Sequence, residues 1–185
     1  MNTIGVTCKN DNLDDGVSEL NLASAGLEGQ VPTSIYELPG LEVLKLTNND
    51  IKLSFKGFEK ATHLKTLHLS STLVDIMEDI NNAPDSLINL HLAECQFKDE
   101  IPPEFYKSSN LQIAYLNFNR FSGTLPEAIG QMTNLEEFWA YNNDLTGTIP
   151  EQLGSLTHLT VLALDENKLS GYIPTELEQF SATEP

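Results

Sequence analysis

Leu111 to Asn134 reads LQIAYLNFNRFSGTLPEAIGQMTN, Leu135 to His158 reads LEEFWAYNNDLTGTIPEQLGSLTH, and Leu159 onward reads LTVLALDENKLSGYIPTELEQF. Superimposed, the three share L-x-x-Φ-x-Φ-x-x-N-x-Φ-x-G-x-Φ-P, where Φ is apolar. The leading apolar residue of each unit falls at Val17, Leu41, Leu64, Leu87, Leu111, Leu135 and Leu159, giving seven repeats with steps of 24, 23, 23, 24, 24 and 24 residues. A fixed period in this range marks a solenoid, in which each unit buries its apolar side only by stacking on the next. Units two and three depart from the pattern. After Asn49 the glycine–proline slot holds LSFKG and after Thr72 it holds DIMED, so both units are one residue short and lack the proline. A locally different back of the solenoid is expected there.

Each residue type in the pattern has a physical task. The apolar pairs Leu44 and Leu46, Leu90 and Leu92, and Leu162 and Leu164 have the period of two of a short strand with one buried face. Seven strands stacked ~4.8 Å apart give a parallel sheet with an inner face about 30 Å long. The turn after each strand buries backbone groups that have no sheet partner and must still be satisfied. Asn49, Asn119, Asn143 and Asn167 stand where side-chain amides can do this as a ladder. Thr72 and Cys95 hold the same slot as weaker partners, and Ala25 cannot serve, so the first unit should be looser. Gly29, Gly123, Gly147 and Gly171 permit turns closed to other residues. Pro32, Pro102, Pro126, Pro150 and Pro174 fix φ and are expected to prevent helix on the far side.

LTGTIPEQLGSLTHL and LSGYIPTELEQF resemble the plant-type leucine-rich repeat, whose pattern carries L-x-G-x-I-P after the asparagine. The resemblance covers residues 17 to about 180 and five of seven units carry the proline. It implies a solenoid of α/β type built mostly of short parallel strands, a right-handed horseshoe or superhelix of seven repeats of 23–24 residues. The subclass occurs in receptor-like kinase ectodomains, receptor-like proteins and secreted inhibitors of cell-wall hydrolases. Residues 1–16 then correspond to a partial N-terminal cap, since Ile4-Gly5-Val6-Thr7-Cys8 resembles the end of the family's W-x-G-V-x-C cap, without its aromatic residue and upstream cysteine. Residues 17–182 hold the repeats, and 183–185 form a tail with no clear C-terminal cap. Because solenoids need capped ends to stay soluble, two readings follow, a fragment of a longer receptor-like protein or a short chain with improvised caps, and the fragment is the one expected.

Ten basic against 27 acidic residues give the 185-residue chain a formal net charge of −17. Nucleic acid and anionic membranes are poor partners for such a surface, whereas a basic or apolar peptide, or a neutral glycan, suits it. No apolar run approaches the ~20 residues that span a bilayer, MNTIGVTCKN lacks the apolar core of a secretory signal, and no Asn-x-Ser/Thr sequon occurs. The residues therefore leave the compartment open, while the resemblance implies an extracellular or cell-surface location. Cys8 and Cys95 lie more than three repeats apart, beyond the roughly 4.4–6.8 Å between Cα atoms that a disulfide spans, so both are expected to be reduced. Asp11-Asn12-Leu13-Asp14-Asp15-Gly16 hints at a calcium loop, but Leu13 takes a ligand position and Leu22 stands where the closing glutamate belongs.

Strand geometry indicates which side chains face the inner surface. Between the two buried positions of each strand runs the column Asn21, Lys45, His68, His91, Tyr115, Trp139 and Ala163; outward of it runs Ala23, Thr47, Ser70, Ala93, Asn117, Tyr141 and Asp165. Repeats five and six thus gather Tyr115, Trp139 and Tyr141, with Phe118 at the strand's end and Glu136, Glu137, Asn142, Asp165 and Glu166 as surrounding acceptors. Exposed aromatic side chains commonly anchor ligands. The ligand-binding candidates are His91, Tyr115, Asn117, Phe118, Glu137, Trp139, Tyr141 and Asp165. His68 and His91, on adjacent strands with Glu94 nearby, lack a third metal ligand, so no metal and no cofactor is expected. His63 and His158 fall in loops without an assigned role.

No nucleophile elbow, phosphate loop or zinc helix motif is present, and adjacent carboxylates such as Glu136 and Glu137 point to opposite sides of a strand, so they cannot flank one glycosidic bond. An ice-binding face would need a ladder of one small polar residue, which these mixed columns lack. The chain reads as a non-catalytic module that binds protein or peptide on the concave face of repeats four to six. Two alternatives stay open: a carbohydrate or cell-wall module using Tyr115, Trp139 and Tyr141, and a structural spacer.

Overall fold

The computed structural model describes residues 5–8, 16–74 and 78–182. Residues 1–4 of the cap-like segment, residues 11–15 weighed for calcium, the first part of the DIMED segment and the tail at 183–185 lie outside the described residues, as does the Cys8 side chain. The described residues form thirteen strands in chain order: β1 (Gly5–Cys8), β2 (Val17–Asn21), β3 (Glu28–Gln30), β4 (Val43–Lys45), β5 (Asp50–Leu53), β6 (Thr66–His68), β7 (Leu73–Val74), β8 (Asn89–His91), β9 (Ile113–Tyr115), β10 (Glu137–Trp139), β11 (Thr146–Gly147), β12 (Val161–Ala163) and β13 (Lys168–Leu169).

Eight strands form the main sheet in the order β1-β2-β4-β6-β8-β9-β10-β12. From β2 onward every neighbour is parallel and one repeat away. β1 lies antiparallel on the outer edge of β2, with Gly5 opposite Asn21, and so pairs the sheet's first edge. Behind the sheet the two predicted apolar rows are buried. One carries Leu44, Leu67, Leu90, Ala114 and Phe138; the other carries Leu46, Leu69, Leu92, Leu116 and Ala140, and none of the ten exceeds 1% exposure. Phe138 is matched in its row by Ala114 on the adjoining strand, so a large side chain faces a small one at constant coil spacing. Leu20, Leu162 and Leu164, on the end coils, are only partly buried.

The asparagine ladder forms as expected. Asn119 donates through Nδ2 to the carbonyls of Leu92 (2.9 Å), Leu116 (2.9 Å) and Asn117 (3.2 Å), and its Oδ1 accepts the N–H groups of Cys95 (3.0 Å) and Phe97 (3.2 Å). One amide thus joins two coils. Asn49, Asn143 and Asn167 repeat the arrangement. Among the described residues Thr72 Oγ1 donates only to Leu46 O, at 3.1 Å, and Cys95 Sγ reaches Leu69 O at 3.2 Å. Both are the weaker partners expected of that slot. Cys95 is buried and free, and burial pushes its thiol up to about 12.

The far side differs from expectation. One-turn 3₁₀ helices occupy it, at Thr33–Glu37, Pro103–Lys107, Glu127–Gln131 and Glu151–Ser155. Each begins directly after a motif proline whose φ lies between −59° and −80°. At a helix start the missing N–H has no bond to lose, so the proline sets where the helix begins rather than forbidding it. Neighbouring turns approach closely: a Cβ on Gly154 would lie 2.7 Å from the carbonyl oxygen of Glu176.

Unit two, without the proline, solves the back another way. Gly57, at φ 84°, opens a short helix at Phe58–Lys60, and Phe55 and Phe58 enter the core, the latter's ring 5.1 Å from Tyr36. The flank divides after β7, in unit three: β3-β5-β7 form one small sheet, β11-β13 another, and between them only the isolated bridges Glu100–Ser122 and Thr124–Thr146 occur among the described residues.

Candidate ligand-binding face

The register brings Asn21, Lys45, His68, His91, Tyr115, Trp139 and Ala163 into one column across the main sheet. Four of these side chains, joined by Tyr141 and Phe118, make a continuous run of rings. His68 and His91 stack at 3.8 Å between centroids, His91 meets Tyr115 at 4.3 Å, Tyr115 meets Trp139 at 5.6 Å, and Trp139 meets Tyr141 at 6.1 Å. Phe118 closes the run, edge-on to Tyr141 at 5.0 Å. Adjacent parallel strands lie ~4.8 Å apart, so one ring per strand places each within contact of the next.

Glu137 organises the aromatic end. Its Oε2 accepts both the Tyr115 hydroxyl (2.8 Å) and the Trp139 indole N–H (2.9 Å). Two of the cluster's three polar handles are therefore satisfied within the protein, and the Tyr141 hydroxyl is left to solvent or a ligand. What the rings offer a ligand is apolar surface and edges, with that hydroxyl as the one polar group of the cluster not engaged by the described residues. Burial, followed by this bond to Glu137, raises the Tyr115 phenol above its ordinary value.

The imidazoles are in the opposite condition. Both are half-buried, and burial lowers both: His68 also feels Lys45, and His91, down to about 4, also feels His68, while Glu19 and Glu137 oppose the respective shifts. Both are neutral at pH 7.

Of the expected site residues, His91, Tyr115, Glu137, Trp139, Tyr141 and Phe118 come together in this cluster. Asp165 lies exposed one coil beyond Tyr141. Asn117, expected on the open face, is 9% exposed and offers a ligand little; it sits between Ala93 and Tyr141 in the same column, and its backbone carbonyl is taken by Asn119 and by the N–H of Glu94.

One column escaped the sequence reading. Ser24, Asn48, Ser71, Glu94, Phe118, Asn142 and Glu166 all have φ between 52° and 58°. Each directly precedes the ladder slot, which is the signal that could have found them. Asparagine tolerates this left-handed conformation; an aromatic residue does so at a cost of roughly 1–3 kcal/mol. Phe118 adopts it at φ 54° while remaining 44% exposed. It borders a groove of about 560 Å³ lined also by Glu94, Gln96, Lys98, Asn119, Arg120 and Asn142.

Residues 20–179 match the family model described as a leucine-rich repeat region. The chain is a leucine-rich repeat protein. Within that family it is 35% identical over 111 residues to Pollen receptor-like kinase 2 of Arabidopsis thaliana, a match covering 58% of this chain and 17% of that protein. The leucine-rich repeat fold here superimposes on the Arabidopsis receptor kinase HAESA, solved in complex with the peptide hormone IDA and the co-receptor SERK1, with a TM-score of 0.85 and 32% identity over 97% of this chain and 30% of that one. A Pollen Receptor Kinase 3 structure shares the fold at a TM-score of 0.80 and 24% identity, covering 92% of this chain and 82% of that one. This leucine-rich repeat chain thus spans a minor part of the receptor kinase it matches in sequence. No helix among its described residues is long and apolar enough to cross a membrane.

Proposed function

We propose that this chain is a non-catalytic recognition module that binds an extended peptide or protein segment on the concave face of repeats four to six. The observation that carries the reading is the ring cluster of Tyr115, Trp139, Tyr141 and Phe118, in which Glu137 satisfies the Tyr115 hydroxyl and the Trp139 indole N–H. Such a cluster has apolar surface to bury on binding and little further polar surface to desolvate, the condition under which aromatic anchors contribute most. That HAESA, 32% identical to this chain, was solved with a peptide hormone supports the ligand class.

Trp139 is braced near edge-on by Tyr115 on one side (63°) and Tyr141 on the other (62°). The clefts between tilted rings suit a branched or aromatic side chain better than the flat plane of a sugar. The test is a selection of random dodecapeptides on the purified chain, counter-screened with Trp139→Ala/Tyr141→Ala. Peptides that bind the wild type and lose affinity by about 30-fold or more on the double variant support the reading, since truncating an anchor costs on the order of 2 kcal/mol. Binders indifferent to both substitutions, or binding of glycans alone, would overturn it.

A further inference from the structure

The concave face has two chemically different ends. Around Trp139 the column is aromatic, and its donors are consumed by Glu137. Around His68 and His91 it is polar. The same strands carry Thr66 and Asn89, which bond each other at 3.1 Å, and Ser70 follows in the outward column. Lys45 stands beside His68 in register and pairs with Glu19 at 2.8 Å. Neither imidazole forms a hydrogen bond to a protein group among the described residues; their interactions are the ring stack at 3.8 Å, the contact of His91 with Tyr115, and the fields of Lys45, Glu19 and Glu137.

A neutral imidazole carries one N–H donor, and an imidazolium carries two. At this end, then, donors are unspent on an open face, while the two carboxylates that face the pair are engaged: Glu19 with Lys45, and Glu137 with Tyr115 and Trp139. Two cations stacked at this separation would repel each other, and Lys45 adds a third, so the site takes up no second proton unaided. An anion against the pair removes that penalty.

We infer that His68 and His91, flanked by Lys45, form a carboxylate-binding subsite at the polar end of the face, which holds an acidic group of the ligand while the rings of repeats five and six hold an apolar side chain. The inference rests on the proposed recognition role only for the ligand being a peptide; the subsite's chemistry stands on the two imidazoles. Binding of a carboxylate stabilises the protonated imidazole, so it draws in a proton and tightens as the pH falls from about 6 towards the unliganded His91 value of about 4, for as long as the carboxylate itself stays ionised. On a chain with a net charge of −17, this end of the concave face would admit acidic ligands that the rest of the surface repels.

The test is a proton NMR titration of the four histidines in sodium acetate against sodium chloride of equal ionic strength. The titration midpoint of His91 is expected to rise by about one pH unit at saturating acetate, with His63 and His158 unmoved as internal controls and Trp139→Ala responding like the wild type. His68→Gln should abolish the rise. N-acetylaspartic acid α-amide and N-acetylglycine then separate a side-chain carboxylate from a chain end, whichever shifts His91 at the lower concentration, with N-acetylglycinamide as the neutral control. An unchanged His91 midpoint, an equal effect of the neutral amide, or an equal shift of all four histidines would overturn the subsite. Because Trp139→Ala retains the acetate response, failure of the aromatic anchor and failure of the carboxylate subsite are read separately.

Discussion

Glu137 holds Trp139 by its indole N–H at 2.9 Å, across the alternation of a single strand, and the same oxygen takes the Tyr115 hydroxyl from the strand before. Residues two apart on a strand share a face, so the glutamate and the tryptophan belong to one unit, tied to the next through Tyr115. Glu137→Ala should free both donors and loosen the cluster, destabilising the chain by about 1 kcal/mol; Glu137→Gln, which keeps one acceptor, should lose about half as much. Urea unfolding followed by the emission of Trp139, the single tryptophan of the chain, measures both effects together.

The ladder is expected to dominate local stability. Asn119→Ala leaves three carbonyls and two amide groups of two coils without that partner, and the loss should be roughly 3 kcal/mol. Asn167 serves the last coil, where it is half-buried and its Oδ1 accepts only from Leu145 N–H among the described residues; Asn167→Ala should cost about 1 kcal/mol. Asn167 also joins two coils, through Ala140 O and Leu145 N–H, so the contrast measures burial: equal losses at the two positions, read by chemical unfolding, would contradict a stability set by how well each amide is shielded from water.

Two buried tyrosines give a matched pair. Tyr36 donates its hydroxyl to Ser54 O at 2.9 Å, whereas the Tyr106 hydroxyl is buried with no partner among the described residues. Burial raises both phenols. Tyr36→Phe should destabilise by about 1 kcal/mol, and Tyr106→Phe should be neutral or stabilising by up to about 1 kcal/mol. Differential scanning calorimetry of the two variants checks the opposite signs.

The acid limb of stability should carry the signature of the imidazoles. His91 is held at about 4, well below its ordinary 6.5, chiefly by burial. The unfolded chain therefore binds this proton first as pH falls. The stability His91 supports is complete above pH 6.5 and is lost between there and about 4. Comparing the wild type with His91→Gln between pH 7 and 5 should show a shallower decline for the variant, with a difference on the order of 1 kcal/mol once solvent screening of a half-exposed ring is allowed for.

Much of this architecture is legible in the chain, because a repeated unit restates its rules. Leu44 and Leu46 announce the two buried rows, and the alternation that fixes them also fixes the column from Asn21 to Ala163. The back is less legible. Proline reads as a bar to helix, yet at the N-cap its fixed φ is compatible with one 3₁₀ turn, and only the register of the coils shows that a turn comes next. In unit two, Phe55 and Phe58 take over the core in place of the proline, a substitution of shape that residue-by-residue matching does not register. At the candidate site the rings are legible from the column, whereas the state of each polar group is not. That Glu137 serves two rings at once, that Asn117 is covered, and that the imidazoles are unbonded depend on side-chain conformations no pattern specifies.

The most direct measurement is the emission of Trp139 during titration with a peptide selected on the wild-type chain. Saturable change in its wavelength or intensity, with affinity lost in Tyr141→Ala, is the result expected if repeats four to six form the binding face. A peptide that binds tightly by calorimetry while leaving this emission unchanged would contradict that assignment and move the interface elsewhere on the solenoid.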